Sequence, residues 1–420
     1  MVDAMIPFAA GLFLATLAGY IAVLAFRELV SVRLARAASV MERELLRERI
    51  GEVAERRRRE NEKAVRTWDG FRKFVIARKE MEAKDICSFY LEPHDRRPLP
   101  NFQPGQYLTF RLAIPGQPRP AVRCYSLSDA PKPDHFRVTI KRIGPPPGKP
   151  DGTPGLVSSF FHRDLDAGDI VDVKAPAGQF FLEPTDTTPI VLIGGGVGVT
   201  PVLSMLNAVV AANARRDVWF FYGVRNKTEH AMAEHLRRIA TENSNVQVHV
   251  CYSDPTPDDR AGQDYQHGER VSLDLLERVL PSSDMHFYLC APPPMMQALV
   301  EGLHAWGVPH DRVHHEAFGP ASVKSAGAPP AADAASRQVE VTFARANKKS
   351  PWDGRSSLLE LAEKSGVKID FGCRAGNCGT CLTAIKSGEV DYLSPPGMSV
   401  EAGSCLACVA VPKTNIHLDA

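Results

Sequence analysis

The chain has 420 residues, 44% hydrophobic and 24% charged, a globular balance that excludes a largely disordered chain and a polytopic membrane protein. Its 50 Lys and Arg nearly cancel 49 Asp and Glu, so nothing favours bulk nucleic-acid binding. Nine cysteines are too few for a disulfide-built secreted scaffold, and five of them fall between Cys373 and Cys408, a clustering that suits metal better than a staple.

Residues 4–26 carry no charge. Coiled as a helix they would span roughly 30 Å, the thickness of a hydrocarbon layer. The basic segment that opens a cleaved signal is absent, so residues 1–27 are expected to form a single retained transmembrane anchor. Arg27, Arg33 and Arg36 follow it and predict an inner (cytoplasmic) membrane protein with its catalytic bulk in the cytoplasm. Gly11, Ala15 and Gly19 make a small-residue face that could pack on another membrane helix. Residues 28–66, with the run Arg56-Arg57-Arg58-Arg59, read as a charged, solvated helical stalk.

Residues 67–183 change character. Short β-rich runs at 71–80, 87–92, 107–112, 123–128, 136–142 and 170–175, bounded by Gly/Pro turns, predict a small antiparallel barrel. Among them stands Arg123-Cys124-Tyr125-Ser126. A guanidinium can hold a diphosphate, an aromatic face can pack on a flat heterocycle, and a hydroxyl can reach a ring nitrogen. Four such residues also occur together by chance.

Residues 184–320 predict a second domain. A β-branched run at 188–193 leads into Gly194-Gly195-Gly196-Val197-Gly198-Val199-Thr200 and then a helix at 202–212. Strand, glycine turn and helix present backbone N–H groups to a diphosphate. Strands at 218–222, 246–252 and 286–290 alternate with helices at 228–240 and 273–280, the rhythm of a parallel α/β sheet.

Residues 321–337, rich in Ala, Pro and Ser, read as a flexible linker with a reach of roughly 20–25 Å. A third domain, 338–420, opens with a strand at 339–343 and a helix at 357–364. Cys373, Cys378 and Cys381 then follow C-x4-C-x2-C spacing, with Cys405 and Cys408 beyond, the plant-type [2Fe–2S] pattern. Gly376 and Gly379 let the loop wrap such a cluster. A zinc site would favour paired C-x2-C knuckles, and this loop holds one pair.

Residues 68–320 resemble the ferredoxin–NADP reductase superfamily, and most of all the reductase half of the flavohaemoglobins. The likeness rests on Pro104-Gly105-Gln106-Tyr107-Leu108, the run from Arg123 to Pro131, Gly155-Leu156-Val157-Ser158, Gly195 to Pro201, and His315-Glu316-Ala317-Phe318. It implies that Tyr107, Arg123, Tyr125 and Ser126 bind the flavin, with Ser126 near its reactive nitrogen. Cys124 belongs to the same stretch, although its thiol, like those of Cys87 and Cys251, reads by itself as a small apolar group. Lys141 and Ser158 would contact flavin phosphate or ribityl oxygens, and Glu316 and Phe318 would border the ring. Gly195, Gly196, Val197, Gly198, Val199 and Thr200 would hold the nicotinamide nucleotide, with Cys290 near the hydride-transfer site. The family's Cys-Gly-Pro reads Cys290-Ala291-Pro292, and the added methyl could tighten that pocket. Arg225 and Lys227 could meet a 2′-phosphate, whereas the resemblance favours NADH. No globin-like stretch precedes residue 68, so the flavohaemoglobins' oxygen chemistry is not expected. Residues 339–420 resemble plant-type ferredoxins. Leu406-Ala407-Cys408-Val409-Ala410 matches their ending, which makes Cys408, with Cys373, Cys378 and Cys381, the expected ligand set and Cys405 a nearby free thiol.

The expected fold is therefore multidomain: a single transmembrane helix, an antiparallel β-barrel flavin domain, an α/β parallel-sheet nucleotide domain and an α+β ferredoxin-like domain. Nicotinamide gives two electrons as hydride and a [2Fe–2S] cluster takes one, so a flavin must convert between them. The order resembles the reductase components of multicomponent oxygenases, with an anchor added. This predicts NAD(P)H → flavin → [2Fe–2S] → a membrane oxygenase, hydroxylase or desaturase. Expected cofactors are FAD, with FMN as the alternative, a [2Fe–2S] cluster, and NADH or NADPH. Expected partners are a membrane-bound acceptor protein or quinone and membrane lipid, with no nucleic acid. Direct quinone reduction is one alternative activity. A redox-sensing interaction module is another, disfavoured because the nicotinamide motif is intact.

Overall fold

The structure, a computed structural model, describes residues 68–146, 148–182, 187–316, 318, 339–394, 396–398 and 400–420. The predicted anchor, stalk and linker lie outside these residues. Among the described residues no helix is long and apolar enough to cross a membrane.

Apolar residues at period two build the first sheet. β1 (Arg72–Ala83), β2 (Ile86–Pro93), β3 (Tyr107–Leu112), β4 (Ala121–Ser126), β5 (Phe136–Lys141) and β6 (Ile170–Val173) assemble in the order β4-β3-β6-β1-β2-β5. All the pairings are antiparallel. A bridge from Leu127, just after β4, to Val138 of β5 links the two edge strands and closes the barrel at that point. Phe74, Phe89, Phe110, Phe136 and Phe161 fill its interior. Phe161 comes from α1 (Leu156–Arg163), which packs across one end.

The second sheet is parallel, as strands buried on both faces require. β7 (Ile190–Gly195) has every residue buried, and β8 (Val218–Val224), β9 (Val246–Tyr252), β10 (His286–Cys290) and β11 (Val313–Glu316) complete the order β11-β10-β7-β8-β9. The strand order reverses between β7 and β10, the crevice where open α/β sheets take ligands. α2 (Val199–Ala211) starts directly after a 3-10 turn at Gly196–Gly198. The helix expected at 228–240 is broken instead. Asn226 caps a 3-10 turn at Lys227–Glu229, Met232 turns left-handed with φ 61°, and α3 begins only at Ala233 and runs to Glu242. α4 (Leu273–Val279) and α5 (Pro293–Ala305) cover the opposite face. Ser204 Oγ of α2 donates to Asp129 O of the barrel (2.7 Å), and Asn207 Nδ2 donates to Asp129 Oδ1 (2.8 Å), which fixes sheet against barrel.

The third sheet joins β12 (Glu340–Phe343), β13 (Lys348–Pro351), β14 (Leu382–Ser387), β16 (Ser404–Leu406) and β18 (Ile416–Leu418) in the order β13-β12-β18-β14-β16. β15 (Val390–Tyr392) and β17 (Ala410–Pro412) pair separately. α6 (Leu358–Lys364) starts from a capping box between Ser357 and Glu360 and buries Leu358, Leu359 and Leu361 in this core.

Candidate functional site

A cleft of about 340 Å³ opens where the three folds meet. One wall is the β3–β4 ladder, with Tyr107, Arg123, Cys124, Tyr125 and Ser126. Phe110 and Phe161 stand edge-on to the Tyr125 ring at 5.8 and 5.4 Å and set its orientation. Thr139, Ile140 and Lys141 of β5 and Gly155, Leu156, Val157 and Ser158 at the start of α1 form a second wall. Ser158 Oγ accepts from Ile143 N (3.1 Å) and donates to Gly155 O (3.2 Å), while Lys141 Nζ meets Glu229 at 3.4 Å.

The nucleotide domain contributes Val197 and Thr200 to the cleft. Thr200 Oγ1 donates to Val197 O (3.0 Å) and stiffens the turn before α2. Gly198 is required by close approach, since a Cβ there would lie 2.1 Å from Cys290 O. Gly195 meets the departure noted in the sequence: a Cβ on it would lie 2.9 Å from the Ala291 methyl. Gly195, Gly196, Gly198 and Val199 shape the turn without lining this cleft, and Cys290 is buried beneath it. Burial holds the Cys290 thiol well above its ordinary pKa, with Glu316 adding to the effect, so the thiol stays protonated. Glu316 sits opposite Cys290 in the β10–β11 register, lines the cleft, and is pushed by burial up to about 8. Its Oε2 is buried with no hydrogen-bond partner, an orphan that a ligand in the cleft would satisfy. Phe318, 40% exposed, lies at the rim.

The third wall is the cysteine loop, through Gly372, Cys373, Arg374, Ala375 and Asn377. Tyr107 Oη donates to Asn377 O (2.7 Å), Arg123 Nη1 donates to Gly372 O (3.0 Å), and Arg119 pairs with Asp370 at 2.7 Å. A Cβ on Gly372 would stand 2.9 Å from Val122 Cβ, so a side chain there would hold the loop off the barrel. Burial of Tyr107, 2% exposed, keeps its hydroxyl protonated and a donor.

Four sulfurs in this domain fall into two pairs, Cys373 with Cys378 and Cys381 with Cys408. Among the described residues no three His, Cys, Asp or Glu side chains converge on one ion. A binuclear cluster needs a different arrangement, two thiolates for each of two irons, and this donor set fits it. Backbone N–H groups of Ala375, Asn377 and Cys378 point at Cys373 Sγ within 3.3–3.4 Å, and that of Gly376 points at Cys408 Sγ at 3.3 Å. Gly376 and Gly379 take the positive φ values, 75° and 73°, that this wrapping needs. Arg374 is also left-handed, at φ 55°, held by an ion pair to Glu363 and by the Phe371 ring 3.9 Å away. Cys405 stays apart, in the core opposite Thr383, and burial pushes its thiol up to about 12.

Residues 73–182 match the oxidoreductase FAD-binding domain, residues 192–301 the oxidoreductase NAD-binding domain, and residues 347–413 the 2Fe-2S iron-sulfur cluster binding domain. The chain is an NAD(P)H-dependent electron-transfer oxidoreductase. It joins a ferredoxin reductase-type module to a ferredoxin domain, and its cofactors are FAD, a [2Fe–2S] cluster and NADH or NADPH. The oxidoreductase is 40% identical over 254 residues to a flavohemoprotein of Halalkalibacterium halodurans, covering 60% of this chain and 61% of the relative, so it spans about three fifths of that protein. Two solved structures are similar. The FAD/NAD-binding domain of a nitric oxide dioxygenase from Vibrio cholerae is 34% identical, with 60% of this chain and 100% of that chain covered and a TM-score of 0.53. Phthalate dioxygenase reductase, described as modular for electron transfer from pyridine nucleotides to [2Fe–2S], is 27% identical over 84% of this oxidoreductase and 98% of its own chain, with a TM-score of 0.52.

Proposed function

We propose that this oxidoreductase is the reductase partner of an oxygenase, hydroxylase or desaturase in the inner membrane, tethered there by residues 1–27 with its domains in the cytoplasm. The observation that carries the reading is the shared cleft: flavin-wall, nucleotide-turn and cluster-loop residues line one space. The likeness to phthalate dioxygenase reductase over nearly the whole of that protein supports an oxygenase as the acceptor.

In this reading Tyr107, Tyr125 and Ser126 frame the flavin ring, while Arg123, Lys141 and Ser158 take its phosphate and ribityl oxygens. When bound, the flavin accepts hydride from NAD(P)H and passes electrons singly to the cluster. The turn from Gly195 to Thr200, kept close to Cys290 by Gly198, holds the nucleotide beside it. Cys373, Cys378, Cys381 and Cys408 hold the cluster, and Tyr107 and Arg123 hold its loop against the flavin wall. NADH is the proposed donor, because Lys227 is already neutralised by Asp264 at 3.0 Å, and that acid is almost wholly buried. Arg225 is left as the one cation of the two for a 2′-phosphate.

The test is purification of the full chain from native membranes in mild detergent, beside a variant lacking residues 1–27. A di-iron or haem membrane protein that follows the full chain and is lost with the deletion is the expected result. Recovery of quinone or lipid alone would overturn the oxygenase reading in favour of direct quinone reduction.

A further inference from the structure

The flavin wall and the nucleotide turn each lead, within a few residues, to one partner of the same hydrogen bond. Asp129 comes three residues after Ser126 on the barrel, and Asn207 comes seven residues after Thr200 on α2. Asn207 is buried, at 6% exposure, and its Nδ2 donates to Asp129 Oδ1 over 2.8 Å. Behind it, His235 Nε2 lies 2.8 Å from Asn207 Oδ1, and Arg238 Nη2 lies 3.1 Å from His235 Nδ1. His235 and Arg238 stand about one turn apart on α3, which begins just before them because Met232 breaks the longer helix.

The two ends of this chain fix the direction of every bond in it. A guanidinium can only donate and a carboxylate can only accept. Asn207 therefore presents its N–H to Asp129 and its carbonyl to His235, which donates from Nε2 and accepts from Arg238 at Nδ1. That is the neutral imidazole. Burial, helped by Arg137, Arg238 and Lys132 against the pull of Asp129, brings His235 down to about 4, so it keeps this form through the neutral range. Asp129 is held in turn. Lys132 meets it at 3.1 Å, Arg137 at 3.8 Å, and Ala130 N donates to its Oδ1 over 2.8 Å. Arg137, 7% exposed, also donates to Ser128 Oγ (3.2 Å), which ties the residue before Asp129 to β5.

We propose that Asn207 is a positioning residue for hydride transfer, oriented by His235 and Arg238 so that α2 locks onto Asp129 and sets the distance from the nucleotide turn to the flavin wall. The inference rests on the placement of flavin and nucleotide given above. The step concerned is the one in which the nicotinamide gives its hydride, with both electrons, to the flavin. It needs reacting atoms roughly 3–3.5 Å apart, so a small shift of α2 slows transfer while the turn still binds. Ser204 adds a bond to the Asp129 backbone (2.7 Å), so loss of Asn207 loosens this joint without parting it.

The test mixes NADH with the full chain loaded with flavin and cluster, and follows flavin bleaching by stopped flow at rising NADH. Asn207→Leu should lower the limiting rate by roughly threefold to tenfold and leave the Kd for NADH within about twofold. Asn207→Asp sets two carboxylates against each other and should be slower still. Adding Asp129→Asn to it restores the bond with donor and acceptor exchanged, and should recover most of the loss. A limiting rate within about twofold of wild type in Asn207→Leu, or a loss in Kd alone, overturns the proposal. If Asn207→Leu does not fold, the exchange carries the test, and a double variant no faster than Asn207→Asp overturns it, because a packing role would not respond to the swap. Gly198→Ala keeps the two readings apart: an unchanged Kd there removes the placement of the nucleotide, whereas a raised Kd beside wild-type rates in Asn207→Leu removes only the joint.

Discussion

Replacing Tyr107 with Phe removes one oxygen from the join between flavin wall and cluster loop. The ring stays, still backed by the chain at Gly178, where a Cβ would lie 2.9 Å from it. What is lost is the 2.7 Å hydrogen bond to Asn377 O. A neutral bond of this kind contributes about 1 kcal/mol net, rising toward 2 or 3 when the abandoned acceptor stays buried. About 1 kcal/mol lowers the ratio of docked to undocked cluster loop roughly fivefold. In the proposed reading electrons cross from flavin to cluster in the docked arrangement, so that step should slow by up to about the same factor. In the proposed reading hydride delivery depends on the nucleotide turn rather than on this bond and should not change. Stopped-flow absorbance separates the two, with flavin bleaching reporting the first step and cluster bleaching the second. Equal slowing of both steps would mean that the Tyr107 hydroxyl, and not only its ring, serves the flavin site. No change in either would mean that this bond does not hold the loop, and both results refute the reasoning.

Gly198→Ala places a methyl against Cys290 O, and the turn before α2 must move; we expect a loss of about 1–3 kcal/mol in the nucleotide domain and a raised KM for NADH, read by thermal unfolding and steady-state kinetics. Cys408→Ser should lose iron while Cys405→Ala keeps it, because the Cys405 thiol is held in the core away from the two sulfur pairs; iron per chain decides it. Glu316 is raised by burial from the ordinary 4.5 to about 8, so the folded protein keeps it protonated after the unfolded chain has ionised. Its contribution is fully present below pH 4.5 and is lost as pH rises to about 8. In flavin-free protein Glu316→Gln should therefore gain on wild type across that window, by up to a few kcal/mol at its alkaline end, and match it in acid; parallel denaturant midpoints at all pH values would refute this.

Where function depends on neighbours in the chain, the sequence was readable. The strands at 107–112, 246–252 and 286–290 were legible from period-two or continuous apolar runs, which state their own burial. The C-x4-C-x2-C loop was legible because three of the four thiols fall within nine residues of chain. The helix expected at 228–240 was misjudged because a single left-handed residue, Met232, breaks it, and nothing in that residue type announces the conformation. Contacts between domains were not readable at all. Tyr107 meets Asn377 across 270 residues, Arg119 meets Asp370 across 251, and Arg123 meets Gly372 across 249. No local period or motif encodes such pairs. They arise when closed barrel, sheet and ferredoxin domain present matched surfaces. By itself the sequence determined which cofactor chemistries the chain could support, because ligand spacing and glycine turns are local. Only the tertiary structure decided that flavin wall, nucleotide turn and cluster loop share one cleft, because that rests on packing between domains far apart in the chain.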